Sequence, residues 1–224
     1  MANNNIISDK QKIFLEYLIQ FPQRKQENIP SIQSMSEDLG LSTACLREQM
    51  ELAKNLGIIS ARPRKGIEIL PYKFSPAASK SLYYAVNLDY SYFVQYSEVR
   101  NHLEKAYFLE SVQLLDSEEI SRIQLLVDAA FKKLDGFPVQ IPHDEHRKYH
   151  MSFYIYLDNI FLTGLLEAYW DVYELVGLSI YSDLEYLKKV WDYHAQIIEN
   201  ISKGNLETSF ELLCTHMEFI SQRE

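Results

Sequence analysis

Residues 30–57 read PSIQSMSEDLGLSTACLREQMELAKNLG, and this stretch decides how the first third of the chain folds. Ser31 stands where a helix N-cap belongs, Ile32, Met35 and Leu39 then fall on one face at helical spacing, and Gly40 supplies the stop. Two residues on, Ser42 caps a second helix whose inward positions are Leu46, Met50, Ala53 and Leu56, and Gly57 ends it. Two short helices joined by a tight turn spell a helix-turn-helix. In that arrangement the N-terminal residues of the second helix face base edges in the major groove.

The flanks complete the unit. Upstream, Ser8-Asp9-Lys10-Gln11 is a capping-box pattern ahead of Ile13, Phe14, Tyr17 and Leu18, which predicts a helix over 8–20. Pro22 and Pro30 bracket a polar loop. Downstream, Ile58-Ile59 and Ile67-Glu68-Ile69-Leu70 read as two strands around Arg62-Pro63-Arg64-Lys65-Gly66. A hairpin whose tip holds three cations and a glycine is a wing suited to lie along phosphates. Charge agrees with this reading. The net −9 is unevenly spread: residues 1–75 carry 10 Lys+Arg against 8 Asp+Glu, while 76–224 carry 12 against 23. A slightly basic head precedes a strongly acidic body.

From Pro71 to Ser79 the prolines and small polar residues suggest a linker. Beyond it the periodicity is helical throughout, with spans near 91–113, 117–134, 142–157, 160–178, 183–202 and 206–221 and a shorter one near 80–88. Stops come from Asp135-Gly136, Asp158-Asn159, Ser182-Asp183 and Gly204-Asn205. The expected fold is mainly α: a winged helix-turn-helix over 1–72, a linker over 73–79, and an all-α bundle of six or seven helices over 80–224. The 47% apolar content is ample for a core, and no run approaches the ~20 continuous apolar residues of a membrane span. The start, Met1-Ala2-Asn3-Asn4-Asn5, lacks a signal-peptide profile, so a cytoplasmic protein is expected. Cys45 and Cys214 have no CxxC partner and indicate neither a disulfide framework nor a cysteine zinc site.

One grouping has a spacing that implies chemistry. His146 and His150 stand four apart, on one face of the 142–157 helix, close enough to chelate one ion. With 6 histidines in 224 residues, chance supplies about 0.16 such pairs, so the pair alone is a weak signal. His194 and His216 lie on two further helices of the same bundle, and the four together read as a metal site. The alternatives are unrelated surface histidines, hydrogen-bonded core histidines, or imidazoles that contact an anion directly. Arg100 lies on the apolar side of a long helix, where a guanidinium needs an anionic partner; Glu104, four residues on, is one.

Pro30-Ser31, Asp38-Leu39-Gly40-Leu41-Ser42, Leu46-Arg47-Glu48 and Leu56-Gly57-Ile58-Ile59 resemble the winged-helix head of GntR-family transcription regulators. The resemblance implies that Ser42, Thr43, Arg47 and Gly66 contact DNA, and the wing cations Arg62, Arg64 and Lys65 add phosphate contacts. This chain has Thr43 where the family usually has arginine and Leu46 where valine is usual, which removes an arginine able to pair with guanine O6 and N7. The body is similar to the FCD ligand-binding domain of the FadR-like branch. Ser97-Glu98-Val99-Arg100-Asn101-His102-Leu103-Glu104 matches its opening signature, and Tyr149-His150, Asn159-Ile160-Phe161-Leu162, His194, Gly204-Asn205 and His216 follow in order.

That resemblance implies His150, His194 and His216 as three metal ligands, with His146 in the place of the usual aspartate and Arg100 as a holder of a carboxylate effector. An all-imidazole set leaves a bound dication its full +2, which draws an anion, and favours zinc, nickel, copper or cobalt over magnesium or calcium. Zinc and nickel lead that order. His143, three before His146, is a candidate supporting partner or substitute ligand. The function expected is a homodimeric DNA-binding regulator that recognises a pseudo-palindromic operator and answers to a small anionic metabolite. Two alternatives are a metal-dependent hydrolase and a dimerisation module stapled by metal. Against the hydrolase, Arg147 follows His146 where a zinc-protease motif needs glutamate.

Overall fold

The structure is a computed structural model that describes residues 6–23, 29–62, 66–176 and 183–221. It divides into two compact units, Met1–Ala77 and Ala78–Glu224.

In the first unit, helix α1 spans Asp9–Gln23, α2 Ile32–Leu39 and α3 Thr43–Asn55, followed by strands β1 (Ile59–Arg62) and β2 (Gly66–Ile69). The helix starts are set by side chains. Ser8 Oγ accepts from Gln11 N at 3.3 Å, Ser31 Oγ from Ser34 N at 3.2 Å and Ser42 Oγ from Cys45 N at 3.2 Å. Each satisfies a backbone donor that the first helical turn would otherwise leave open. Gly40 turns the chain with φ +63°, the left-handed region that a residue with a Cβ resists. Gly57 is more constrained still, since a Cβ there would stand 2.6 Å from Pro76 Cγ. Phe14, Leu18, Met35, Leu46, Met50, Ala53 and Ile59 form the core of this unit. The strands pair antiparallel with Ile59 opposite Ile69 and Arg62 opposite Gly66, giving a short hairpin.

Three expectations need correction here. Ile13, placed inward by its spacing, is exposed, because α1 buries a narrower face through Phe14, Leu18 and Phe21. Helix α1 runs on to Gln23, past the end expected at residue 20. The segment 73–79 is not all linker. Helix α4 begins at Ser75 and runs to Leu88, with Pro76 in its first turn, where a missing N–H costs nothing. Residues 24–28, the loop expected between the prolines, lie outside the described residues.

The second unit contains α5 (Ser91–Val112), α6 (Ser117–Leu134), α7 (His143–Tyr154), α8 (Ile160–Val176), α9 (Leu184–Ser202) and α10 (Leu206–Ser221). Asp116 and Asp183 cap α6 and α9 by accepting two backbone N–H groups each, and their negative charge suits the positive end of the helix dipole. The packing closes a ring in which α5 meets α7, α7 meets α6, α6 meets α9, α9 meets α10 and α10 returns to α5; α8 covers α5 and α7. One core fills it, with Phe108, Tyr149, Phe153, Trp170, Trp191, Ile197 and Met217 among its enclosed side chains. Side chains from α5, α7, α9 and α10 therefore share one interior.

Candidate metal centre

That interior contains the histidines. His146 and His150 come from α7, one turn apart on its inner face, His194 from the middle of α9, and His216 from α10. One nitrogen from each ring falls in a group whose members all lie within 4.8 Å of one another. Two of the separations are short: His194 Nε2 is 3.2 Å from His150 Nε2 and 3.1 Å from His216 Nε2. A tetrahedral ion with bonds of ~2.0–2.1 Å needs its ligand nitrogens roughly 3.3 Å apart, so these edges are near the required size. His143, at the N-terminus of α7, is not one of the four.

Electrostatics fit a cation. His150, His194 and His216 are enclosed, and burial pushes all four imidazoles well below the ordinary histidine range, with Arg100 and neighbouring imidazoles adding to the effect. The rings are therefore neutral and present lone pairs. Hydrogen-bond counting gives the same answer. One proton can lie between His194 Nε2 and only one of its two Nε2 neighbours, while the buried Nε2 of His146 has no hydrogen-bond partner among the described residues. Inward lone pairs without donors are costly in a dry interior, and one bound cation would satisfy them together.

The surroundings are specific. Tyr149 OH donates to the His194 carbonyl at 2.9 Å and Tyr154 OH to the Glu104 carbonyl at 3.0 Å, tying α7 to α9 and α5. Arg100 is buried on α5 beside the cluster. Its Nε donates to Glu104 Oε1 at 2.5 Å, its Nη2 is 2.8 Å from His150 Nδ1, and its guanidinium lies over the rings of Tyr169 and Trp170. The anionic partner its position demands is thus Glu104, which is itself fully enclosed and is also 2.9 Å from His150 Nδ1 through Oε2. Burial raises the Glu104 carboxyl, and the adjacent guanidinium opposes that rise.

His146 differs from its three companions. Its ring nitrogen is buried but the residue as a whole is only half-buried, because one edge borders a cleft lined by Pro142, His143, Tyr173, Tyr186, Leu187 and Trp191. Neither the cleft nor the Glu104 contact to His150 was legible in the sequence. Tyr83 and Tyr84 are exposed, whereas Tyr149, Tyr154 and Tyr169 surround the centre.

In the head, the expected DNA-reading positions lie on the solvent side of α3 and at the base of the wing. Ser42, Thr43, Arg47, Arg62 and Gly66 are all exposed. Arg64 and Lys65 lie outside the described residues.

Comparison with known proteins agrees with both units. Residues 95–219, more than half the chain, match the FCD domain family. A search of curated proteins finds no match. Among solved structures, Streptococcus agalactiae GntR superposes with a TM-score of 0.71 at 16% identity, covering 96% of this chain and 100% of that one. Lar of Listeria monocytogenes, described as controlling expression of the agr system, gives a TM-score of 0.54 at 11% identity over 98% of each chain. E. coli McbR/YncC gives 0.51 at 15% identity over 95% and 94%. At these identities the structures show the shared fold, and the family match supplies the rest. Arg147, where a zinc hydrolase would need its base, is instead bound to Asp171 and Glu174. No described helix is long and apolar enough to cross a membrane. The chain belongs to the GntR family of transcription regulators, in the branch that carries a C-terminal FCD domain.

Proposed function

We propose that this regulator binds a divalent transition metal, zinc or nickel, through His146, His150, His194 and His216, and that a small anionic metabolite acting at this centre modulates its affinity for a pseudo-palindromic operator. The convergence of four neutral imidazoles within 4.8 Å carries the reading. An all-nitrogen set without a carboxylate ligand leaves the ion's charge undiminished, which favours an anionic effector. His146 provides the route, because its edge meets the cleft and a ligand entering there reaches an imidazole at the boundary of the centre. Arg100 lies beside the centre as a candidate holder of the effector's carboxylate, with its charge shared with Glu104.

Ser42, Thr43 and Arg47 on α3 read DNA, and Arg62, Arg64, Lys65 and Gly66 of the wing follow the backbone. The protein acts as a homodimer, which matches a two-fold operator. The effector must bind one DNA-binding state better than the other to switch it.

One observation favours a second reading. Four protein ligands close a tetrahedral site, as in structural zinc centres, and would make the ion a staple. Operator affinity measured on metal-loaded and chelator-stripped protein, with DNA selected by the protein from a random pool, separates the two. A sensing centre predicts a change of roughly 5–150-fold together with loss of the response to anionic metabolites. Unchanged affinity and response would leave only the staple.

A further inference from the structure

The two ring nitrogens of His150 have different company. Nε2 faces His194 at 3.2 Å, inside the cluster. Nδ1 faces outward to two neighbours at once, Glu104 Oε2 at 2.9 Å and Arg100 Nη2 at 2.8 Å. One nitrogen of a neutral imidazole cannot serve both. A guanidinium only donates and a carboxylate only accepts, so bonding to Arg100 requires a bare Nδ1 and places the ring proton on Nε2. Bonding to Glu104 requires the proton on Nδ1 and leaves Nε2 its lone pair. Only the second tautomer can offer Nε2 to an ion.

We propose that Glu104 is a positioning residue that selects this tautomer, with Arg100 clamping the carboxylate in place; the inference rests on the metal reading given above. The clamp is visible in the contacts. Glu104 Oε1 is held by Arg100 Nε at 2.5 Å, so Oε2 is left to His150. The main chain at the same residue is fixed by the hydroxyl of Tyr154, which donates to its carbonyl at 3.0 Å. Trp170 packs 5.2 Å from the His150 ring and limits its rotation. Both contacts are charge-assisted, and what separates them is the other company of each group: Arg100 keeps Glu104 Oε1 and Asn101 Oδ1 as acceptors when it gives up Nδ1, whereas Glu104 Oε2 has no other donor among the described residues. His150 differs in this from His194 and His216, whose Nδ1 atoms are buried without a hydrogen-bond partner among the described residues. A carboxylate behind a metal-binding imidazole fixes the ring and raises its basicity, and removing such a partner typically weakens metal binding by about 10–100-fold.

The test uses the full chain, zinc as the probe, and two readouts. Long-range nitrogen spectra of metal-free protein report which His150 nitrogen carries the proton, and competition with a chromophoric chelator gives zinc affinity. The expected wild-type result is a protonated Nδ1 and a bare Nε2. Glu104→Gln, which keeps shape but loses charge, is expected to move the proton towards Nε2 and weaken zinc about 10–100-fold, with Glu104→Asp recovering part of both. A wild-type His150 protonated on Nε2 overturns the inference without any variant, so a Glu104→Gln protein that fails to fold does not protect it. Wild type that takes up one zinc ion while Glu104→Gln binds it within a factor of about three removes the positioning role alone. Wild type that takes up none removes the metal reading and this inference with it.

Discussion

The head keeps the residues proposed to read DNA in solvent, whereas the body encloses those proposed to bind metal. In the head, Thr43 and Arg47 lie on the solvent side of α3 while Leu46, Met50 and Ala53 on the inner face hold it in place. Recognition and packing are therefore separate faces of one helix, and each can change with little effect on the other. In the body the same division does not exist. His150, His194 and His216 are as buried as Trp170 and Trp191, and the residues that would bind an ion are also residues of the core. Loss of a solvent-facing side chain of α3 such as Arg47 should therefore change DNA binding alone, whereas any change at the body's centre should alter both ligation and stability.

Acid should separate the two regions most. The unfolded chain takes up protons on its histidines near 6.5, but burial holds the four folded imidazoles well below that value. Stability from these groups is complete above 6.5 and declines as pH falls towards the folded values, by up to about 1.4 kcal/mol per pH unit for each ring. Both tryptophans of the chain lie in the body, so tryptophan fluorescence during denaturant unfolding of metal-free protein at pH 7 and pH 5.5 follows that unit. The midpoint should drop at the lower pH, and an unchanged midpoint would mean the rings are not neutral in the folded state.

His194→Ala comes next. It removes the ring closest to two others, and metal affinity should fall by more than the roughly 100-fold upper range for a supporting partner. Secondary structure of the head should persist. Arg47→Ala reverses the pattern: operator binding should weaken by roughly 1–3 kcal/mol in a mobility-shift titration with metal content unaltered. No loss would mean that α3 is not the recognition helix. Ser31→Ala has the smallest expected effect, a loss of about 1 kcal/mol of head stability from the missing cap, read by thermal denaturation with tryptophan fluorescence unaffected.

The same contrast explains what was legible in the sequence. The head is built from local signals, and a cap serine, a turn glycine and a four-residue spacing each act within one helical turn. Ser31, Gly40, Ser42 and the inward set of α3 were readable for that reason. The errors were also local, at Ile13 and at the start of α4, where tertiary packing outweighed spacing and composition. In the body, the His146–His150 pair was readable because both stand on one helix. His194 and His216 could be placed on two further helices of the bundle, but it was the resemblance to known regulators that named them as ligands, since nothing in a sequence says which faces of three helices meet. Glu104 was legible as the partner of Arg100, four residues away, but not as the partner of His150, 46 residues away across two helices. The cleft beside His146 is formed by α7, α8 and α9 together and has no signature in any one of them.

The central claim is that the four imidazoles form a metal centre, and elemental analysis of the purified protein after dialysis tests it most directly. The prediction is one transition-metal ion per chain in the wild type and none in the His150→Ala, His194→Ala double variant. Equal metal content in the two proteins, or a wild type that retains no ion after incubation with excess zinc or nickel, would contradict it.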